Sequence, residues 1–368
     1  MNRVLKAKLI AGPACLLVWL LGPASARADV ASCSFNAGSH TATVTIVPGA
    51  QSATIASFRA SDGALVITNY EAPSTGCGTA TRFNTDQVIV NNASASQPLS
   101  SYFYLQIPEA GVTAPNGPGF TNEPGSSDEI EFTLNFGPGG KLAISPLVST
   151  SDPGSPVDLA LGGNQINLNA GESDGVDADV TLNGVSRVLI YGSDHSDLIN
   201  GNGGSGTPAT PFTIPMEVET DLTYDVDPDT DTIVTGSAGD TVRAGPRSDS
   251  ITTGDGNDQV LAGAGDDLIR TGPGADSVQS GDGNDQVFTE AGKDSVLAGP
   301  GDDLVFGAGG KDLLRGEQGM DLLAGGHEND RLLGGLDPDR LNGGAGRKDR
   351  CSKSKQDHRK KCEILVGD

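Results

Sequence analysis

The chain has 368 residues, a formal net charge of −24, 52 glycines and only 4% aromatic residues. This length suits two ordinary domains or one elongated domain. The glycine content and the scarcity of aromatic residues argue against a large close-packed core. The negative charge argues against nucleic acid or an anionic membrane as the main partner, because both require basic surfaces. It suits a protein that binds cations.

Residues 1–28 are typical of a secretory signal peptide. Basic residues precede an apolar run from Leu9 to Leu21, and small residues follow as far as Ala28. The run is short for a membrane span and lies among Gly and Pro residues. We therefore expect a secreted, extracellular protein that is cleaved near Ala28. Four of the 24 basic residues and none of the 48 acidic residues lie in this segment, so the mature chain has 20 and 48, a charge of −28.

The mature chain keeps four cysteines: Cys33, Cys77, Cys351 and Cys362. An even number in an exported chain indicates disulfide bonds. Of the three possible pairings, the local one, Cys33 with Cys77 and Cys351 with Cys362, is expected because each pair lies within one region. Zinc is the alternative, but no Cys-x-x-Cys spacing or neighbouring histidine supports it.

Residues 236–346 repeat every nine residues. In the repeat Gly254-Asp-Gly-Asn-Asp-Gln-Val-Leu-Ala, Gly254 is position one, Asp258 is position five and Val260 is position seven. An aliphatic residue occupies position seven in twelve consecutive repeats, from Val242 to Leu341. Position five is Asp in the same twelve repeats: Asp240, Asp249, Asp258, Asp267, Asp276, Asp285, Asp294, Asp303, Asp312, Asp321, Asp330 and Asp339. Such an array predicts a solenoid.

The spacing predicts a metal site. Glycines at positions one and three allow tight turns with positive φ, and position seven points inward from a short strand. Two nonapeptides form one coil of 18 residues, so the Asp residues stack in two rows, one on each edge, with coils about 4.8 Å apart. Carboxylates at this distance repel one another unless a cation lies between them. Carboxylate and carbonyl oxygens suit Ca²⁺ better than zinc or copper.

The array resembles the RTX, or haemolysin-type, calcium-binding repeat. The resemblance implies a parallel β-roll in which several Ca²⁺ ions bind between neighbouring Gly-rich turns, with the twelve Asp residues as ligands. Asp258 to Asp312 match the pattern best. The ends depart from it, since position three is Ala238, Arg247, Glu328 or Asp337 there. The alternative is a calcium-free solenoid in which Asp serves only as a turn former.

The flanking regions are also predicted to be all-β. Residues 29–200, of unknown role, contain short apolar runs separated by Gly, Pro, Ser and Asn. We expect irregular coils of the same β-solenoid, with an N-terminal β-sandwich as the alternative. Residues 201–235 are expected to be a loop or insertion and a transition. The opening Cys33-Ser-Phe and Gly76-Cys77-Gly resemble the N-terminal part of secreted actinobacterial RTX-repeat proteins of unknown role.

The tail, residues 347–368, has eight basic and four acidic residues. We interpret it as a basic, disulfide-bonded cap that covers the open end of the roll, where unpaired strand edges would invite aggregation. The alternative is an adhesin that holds an acidic polymer through Lys353, Lys355, Arg359, Lys360 and Lys361.

No catalytic motif is convincing. The histidines do not form His-Glu-x-x-His. Gly171-Glu-Ser173-Asp-Gly175 matches the nucleophile-elbow string, but no helix is expected after it. The sequence therefore predicts a non-enzymatic calcium-binding protein with a structural or cell-surface role, for which an extracellular polysaccharide is a candidate partner. The alternative is a polysaccharide-active enzyme with a calcium-stabilised repeat tail.

Overall fold

The computed structural model describes residues 30–47, 54–58, 64–69, 72–81, 87–92, 103–107, 131–146, 158–167, 180–192, 197–203, 207–220, 230–354 and 356–367. The expected signal peptide and Ser173 lie outside these residues. All regular structure in the described residues is β-strand. They contain no helix long and apolar enough to cross a membrane.

Thirteen strands precede the regular repeats. They are β1 (Val30–Asn36), β2 (Thr41–Val47), β3 (Thr54–Phe58), β4 (Ala64–Asn69), β5 (Ala72–Thr81), β6 (Gln87–Asn92), β7 (Phe103–Ile107), β8 (Glu131–Pro146), β9 (Asp158–Gly162), β10 (Gln165–Asn167), β11 (Val180–Tyr191), β12 (Leu198–Asn200) and β13 (Met216–Glu219).

Eighteen short strands follow. They are β14 (Thr232–Val234), β15 (Thr241–Pro246), β16 (Ser250–Thr252), β17 (Gln259–Ala264), β18 (Leu268–Arg270), β19 (Ser277–Asp282), β20 (Gln286–Phe288), β21 (Ala291–Gly292), β22 (Ser295–Pro300), β23 (Leu304–Phe306), β24 (Gly309–Gly310), β25 (Leu313–Gln318), β26 (Leu322–Gly326), β27 (Arg331–Gly335), β28 (Arg340–Gly344), β29 (Arg350–Ser352), β30 (His358–Lys360) and β31 (Ile364–Val366).

The repeats form a parallel β-roll with two faces. On the first face the ladder runs β11–β13–β15–β17–β19–β22–β25–β27–β29–β31. On the second face it runs β9–β12–β14–β16–β18–β20–β23–β26–β28–β30. Val260 pairs with Val278 and Ile251 with Ile269, 18 residues apart. The predicted 18-residue coil is therefore confirmed.

The N-terminal strands form irregular coils of the same solenoid. Strands β2, β6 and β8 pair in parallel, as do β3, β7 and β8, and β8 pairs in parallel with β11. Antiparallel additions interrupt the pattern: β1 pairs with β2, β4 lies between β3 and β5, and β10 contacts β9 and β11. The prediction of irregular solenoid coils is confirmed, and the sandwich alternative is wrong.

A thin core runs along the axis. The aliphatic side chain at position seven is at most 1% exposed in all twelve repeats. Phe212, in the predicted loop and transition of residues 201–235, is fully buried against the first coils. The backbone N–H of Ser237 donates to the carbonyl oxygen of Phe212.

Both predicted disulfide pairings are confirmed. Cys33 bonds to Cys77 within the irregular coils. Cys351 bonds to Cys362 in the tail, which continues the roll as β29, β30 and β31. Cys351 occupies the position of an aliphatic residue and pairs with Leu332.

Where position three is glycine, the turns stack closely on one another. A β-carbon added to Gly274 would overlap the carbonyl oxygen of Gly256 in the preceding coil. Gly309 is at position two of another turn. A β-carbon added there would lie 3.8 Å from its nearest neighbour, the carbonyl oxygen of Glu290, which is an ordinary contact distance. The two glycines therefore differ in the space available to a side chain.

We expect Gly274→Ala to lower the free energy of unfolding by about 1–3 kcal/mol, because backbone atoms cannot yield to the new methyl group. Gly309→Ala is the matched control and should change it by less than about 1 kcal/mol. Chemical denaturation in saturating calcium measures both. Equal effects of the two substitutions would contradict the stacking argument.

Candidate metal centre

Two rows of buried aspartates follow the two turn edges of the roll. The twelve residues at position five are between 0 and 3% exposed. One row contains Asp240, Asp258, Asp276, Asp294, Asp312 and Asp330, and the other contains Asp249, Asp267, Asp285, Asp303, Asp321 and Asp339. The structure thus brings together every aspartate that the sequence singled out.

Hydrogen bonds join the members of each row. The backbone N–H of Asp258 donates to Oδ1 of Asp276 at 2.9 Å, and Asp285 donates to Asp303 in the same way. This contact recurs at 2.8–3.0 Å between successive members of both rows. Each carboxylate therefore fixes the register of the preceding coil through one oxygen.

The second oxygen of these carboxylates, Oδ2, is buried. In five members of the rows it makes no hydrogen bond within the described residues: Asp267, Asp303, Asp312, Asp321 and Asp330. In Asp258, Asp276, Asp285 and Asp294 a Thr or Ser hydroxyl donates a hydrogen bond to the carboxyl group. A buried anionic oxygen without a partner is costly. It therefore indicates a ligand.

Turn carbonyls supply further oxygens beside the first row. A β-carbon added to Gly274 would overlap the carbonyl oxygen of Gly256 and would lie 2.9 Å from Oδ1 of Asp276, so these two oxygens face the same point. The same arrangement recurs at Gly292, with Asp294 Oδ1 at 3.0 Å. Within the described residues, no three His, Cys, Asp or Glu side chains group together as they would in a metal cluster. Carboxylates alone would thus not complete a metal shell, and the carbonyls would have to contribute. Such an all-oxygen donor set fits Ca²⁺.

The departures at position three do not remove the turns. Arg247 and Glu328 adopt φ of 132° and 77°, values that glycine accepts more readily. Asp249 and Asp330 remain buried in their rows next to these turns.

Three members of the rows were missed as ligands from the sequence. Asp197 and Asp231 extend the second row, because Asp197 N–H donates to Asp231 Oδ1 and Asp231 N–H donates to Asp249 Oδ1, both at 2.8 Å. Asp349 extends the first row beyond Asp330, because the backbone N–H of Asp330 donates to Oδ1 of Asp349 at 3.0 Å. It follows Asp330 by 19 residues, so a strict nonapeptide register misses it. The sequence feature that could have identified it is Asp349-x-Cys351, in which cysteine replaces the aliphatic residue two positions after the aspartate.

A column of small buried residues at position nine was also missed. Gly316 lies five residues before Asp321, and a β-carbon there would overlap Oδ2 of Asp321. In the earlier coils the column carries hydroxyls that donate to carbonyls one coil on: Thr235 to Thr253 at 2.8 Å, and Ser280 to Ala298 at 3.0 Å. The signal is a Thr, Ser, Ala or Gly five residues before every position-five Asp.

Burial raises the pKa of the row carboxyls. It raises the pKa of Asp303 to about 7, opposed by the hydrogen bond from Asp285 N–H and increased by the charges of Asp321 and Asp285. The pKa values of Asp258, Asp267, Asp312 and Asp321 are likewise raised to about 7, and that of Asp330 to about 6, with burial as the largest cause.

We expect calcium-free protein to lose stability as the pH rises from 5 to 7. For Asp258, Asp267, Asp303, Asp312 and Asp321 burial raises the pKa from 3.8 to about 7 in the folded protein, so the folded state binds more protons in this range. Their stabilising contribution is complete below pH 4 and lost by about pH 7. Thermal melts in chelator, followed by circular dichroism, measure this.

Excess calcium should reverse that dependence, because cations bind ionised carboxylates and compete with protons. Stability in calcium should therefore rise with pH over the same range. A melting temperature independent of pH in chelator would show that the row carboxyls do not control stability.

A family model of the RTX calcium-binding nonapeptide repeat matches residues 187–208, 234–269, 261–296, 288–323 and 325–347. No curated protein matches the chain, and no solved structure does. The match begins within β11, so it includes one coil of the irregular region.

Proposed function

Because residues 187–347 carry RTX calcium-binding nonapeptide repeats, we propose that this is a secreted protein whose Asp rows and turn carbonyls bind several Ca²⁺ ions between adjacent coils. Binding and folding of the β-roll are coupled. The folded roll then has a structural or cell-surface interaction role.

The observation that carries this proposal is the set of five buried Oδ2 atoms, four of them in consecutive repeats, that have no hydrogen-bond partner within the described residues. Burying an ionised carboxylate costs several kcal/mol even after relaxation, whereas a whole domain is stable by only about 5–15 kcal/mol. Five such charges would exceed that margin at neutral pH. They must therefore be protonated or paired with cations when the roll is folded.

The use of the two oxygens favours cations over a turn-forming role. Oδ1 of Asp276 already accepts the backbone N–H of Asp258. A turn former needs no second anionic oxygen, and Asn would serve equally well. Ca²⁺ supplies the positive charge that lets neighbouring carboxylates remain ionised in the interior.

Two features support export. Residues 1–28 have the pattern of a signal peptide, and both disulfides of the described residues suit an oxidising compartment. RTX repeat proteins are typically extracellular. In this proposal the chain stays loosely ordered where calcium is scarce and folds outside the cell, where calcium is abundant.

The proposal assigns no catalytic activity to the chain, and this stays a prediction. The string around Ser173 lies outside the described residues. Turnover on a panel of acidic polysaccharides and esters would contradict it.

A calcium titration of residues 29–368 tests the proposal. We expect a cooperative gain of β-structure by far-UV circular dichroism, with a midpoint around 0.1–1 mM as in extracellular calcium modules. Magnesium at the same concentrations should produce much less structure, because it requires stricter octahedral geometry. An unchanged spectrum and melting temperature in chelator, with no metal in the purified protein, would overturn the proposal.

Neighbouring aspartates provide a matched pair of variants. Asp303 is buried, whereas Asp302 is exposed and accepts the Met320 N–H at 2.7 Å, which Asn could also accept. In calcium, Asp303→Asn should cost about 2 kcal/mol, or roughly 5 °C in melting temperature, and Asp302→Asn very little.

In chelator the sign for Asp303→Asn should reverse. The amide carries no charge, so the variant should melt no lower than the parent protein and require less acid to fold. A loss of equal size in calcium and in chelator would indicate packing damage and not a calcium ligand.

A further inference from the structure

The outward-facing residue at position six changes character near the C-terminal end. On the first face this column holds Thr241, Gln259, Ser277, Ser295 and Leu313, then Arg331 and Arg350. On the second face it holds Ser250, Leu268, Gln286, Leu304 and Leu322, then Arg340 and His358. Both columns therefore switch to basic residues at the same level of the roll.

The turn between the faces adds two more cations. The backbone N–H groups of Arg347 and Lys348 both donate to Oδ1 of Asn329, at 3.1 and 3.0 Å. This coil has 19 residues instead of 18, since Asp349 follows Asp330 by 19 positions. Arg347 and Lys348 are adjacent in its turn, and both are exposed. We name the exposed set the cationic belt: Arg331, Arg340, Arg347, Lys348, Arg350 and Lys360.

The charge of the belt is directed outwards. Of the acids nearest to it in the chain, Asp330, Asp339 and Asp349 are at most 2% exposed, whereas Glu328, Asp337 and Glu363 are exposed. Among the described residues, no carboxylate forms an ion pair with any member of the belt. The ion pairs that the described residues do form join Arg187 and Arg243 to glutamates of the earlier coils. The belt can therefore offer its charges to a ligand.

Protection of the open strand edge does not explain the belt. Cations on edge strands do prevent edge-to-edge association, and Lys360 lies on the last strand of its ladder. Arg331 and Arg340, however, lie on β27 and β28, which are paired on both sides. Arg331 is thus two coils, and Arg340 one coil, further in than edge protection requires.

Exposed acids predominate on the other turn edge of the repeats: Asp266, Asp282, Asp302, Glu317 and Asp337. On the belt's own edge the preceding turns expose both signs of charge, Asp255 and Glu290 as well as Lys293 and Lys311. Within the described repeats basic side chains are concentrated at the C-terminal end, so a polyanion is expected to contact the protein there.

We propose that the cationic belt binds an anionic polysaccharide, with its carboxylate or sulfate groups as the recognised chemistry. Single-stranded nucleic acid fits less well because it needs aromatic stacking platforms, and residues 326–367 contain no Phe, Tyr or Trp. The rings of Phe288 and Phe306 stack on each other, 5.4 Å apart, in earlier coils. This leaves a polymer that is recognised by charge alone.

Two triple variants test the belt. Arg340→Gln, Arg347→Gln and Lys348→Gln together remove three charges from it. Lys293→Gln, Lys311→Gln and Arg315→Gln together remove three exposed charges from the preceding coils. Circular dichroism in calcium first establishes that both variants fold, so a failure of calcium-coupled folding is seen separately.

Binding is then measured in calcium to heparin, to oligogalacturonate and to duplex DNA. Low-salt affinity for at least one polysaccharide should fall by about 100-fold in the belt variant, and by a few-fold at most in the control. Binding to heparin but not to oligogalacturonate would indicate that the belt recognises sulfate groups. Binding to oligogalacturonate would indicate that it recognises carboxylate groups. The proposal is overturned if the folded parent protein binds neither, if both variants lose affinity equally, or if DNA binds most tightly.

Discussion

The fold depends on one repeated contact, the hydrogen bond from the backbone N–H of one row aspartate to Oδ1 of the aspartate one coil later. It places a carboxylate inside a roll whose other interior columns are aliphatic and small. The contact sets the coil register and at the same time creates an anionic interior. Coil geometry and the need for a cation are therefore consequences of the same side chain.

The nonapeptide pattern was sufficient to predict the roll, because three constraints coincide in each repeat. Positive φ selects glycine, the core selects an aliphatic residue, and the row selects aspartate. Position seven and position five were both identified from this pattern. The column at position nine was not, because Thr, Ser, Ala and Gly share only small size, which becomes a constraint only when Oδ2 of the next aspartate is placed against it.

The ends were harder to predict for different reasons. Asp349 is displaced by one residue, and Cys351 takes an aliphatic place, so both depart from the strict pattern. In the N-terminal coils the strands vary in length and antiparallel strands such as β4 and β10 intervene. Their pairing depends on contacts between distant residues, for example Val88 with Phe132, which no local period specifies. The disulfides, in contrast, followed from proximity in the chain.

The two-sided coil limits how the length of this protein can change. Adding or deleting 18 residues of the array would keep every later strand on its own face and every aspartate in its own row. A change of nine would instead turn everything C-terminal to it by half a revolution about the axis. A change placed between Phe288 and Phe306 would separate these stacked rings, and the belt would move relative to the irregular coils. The natural unit of insertion and deletion is therefore the full coil and not the nonapeptide.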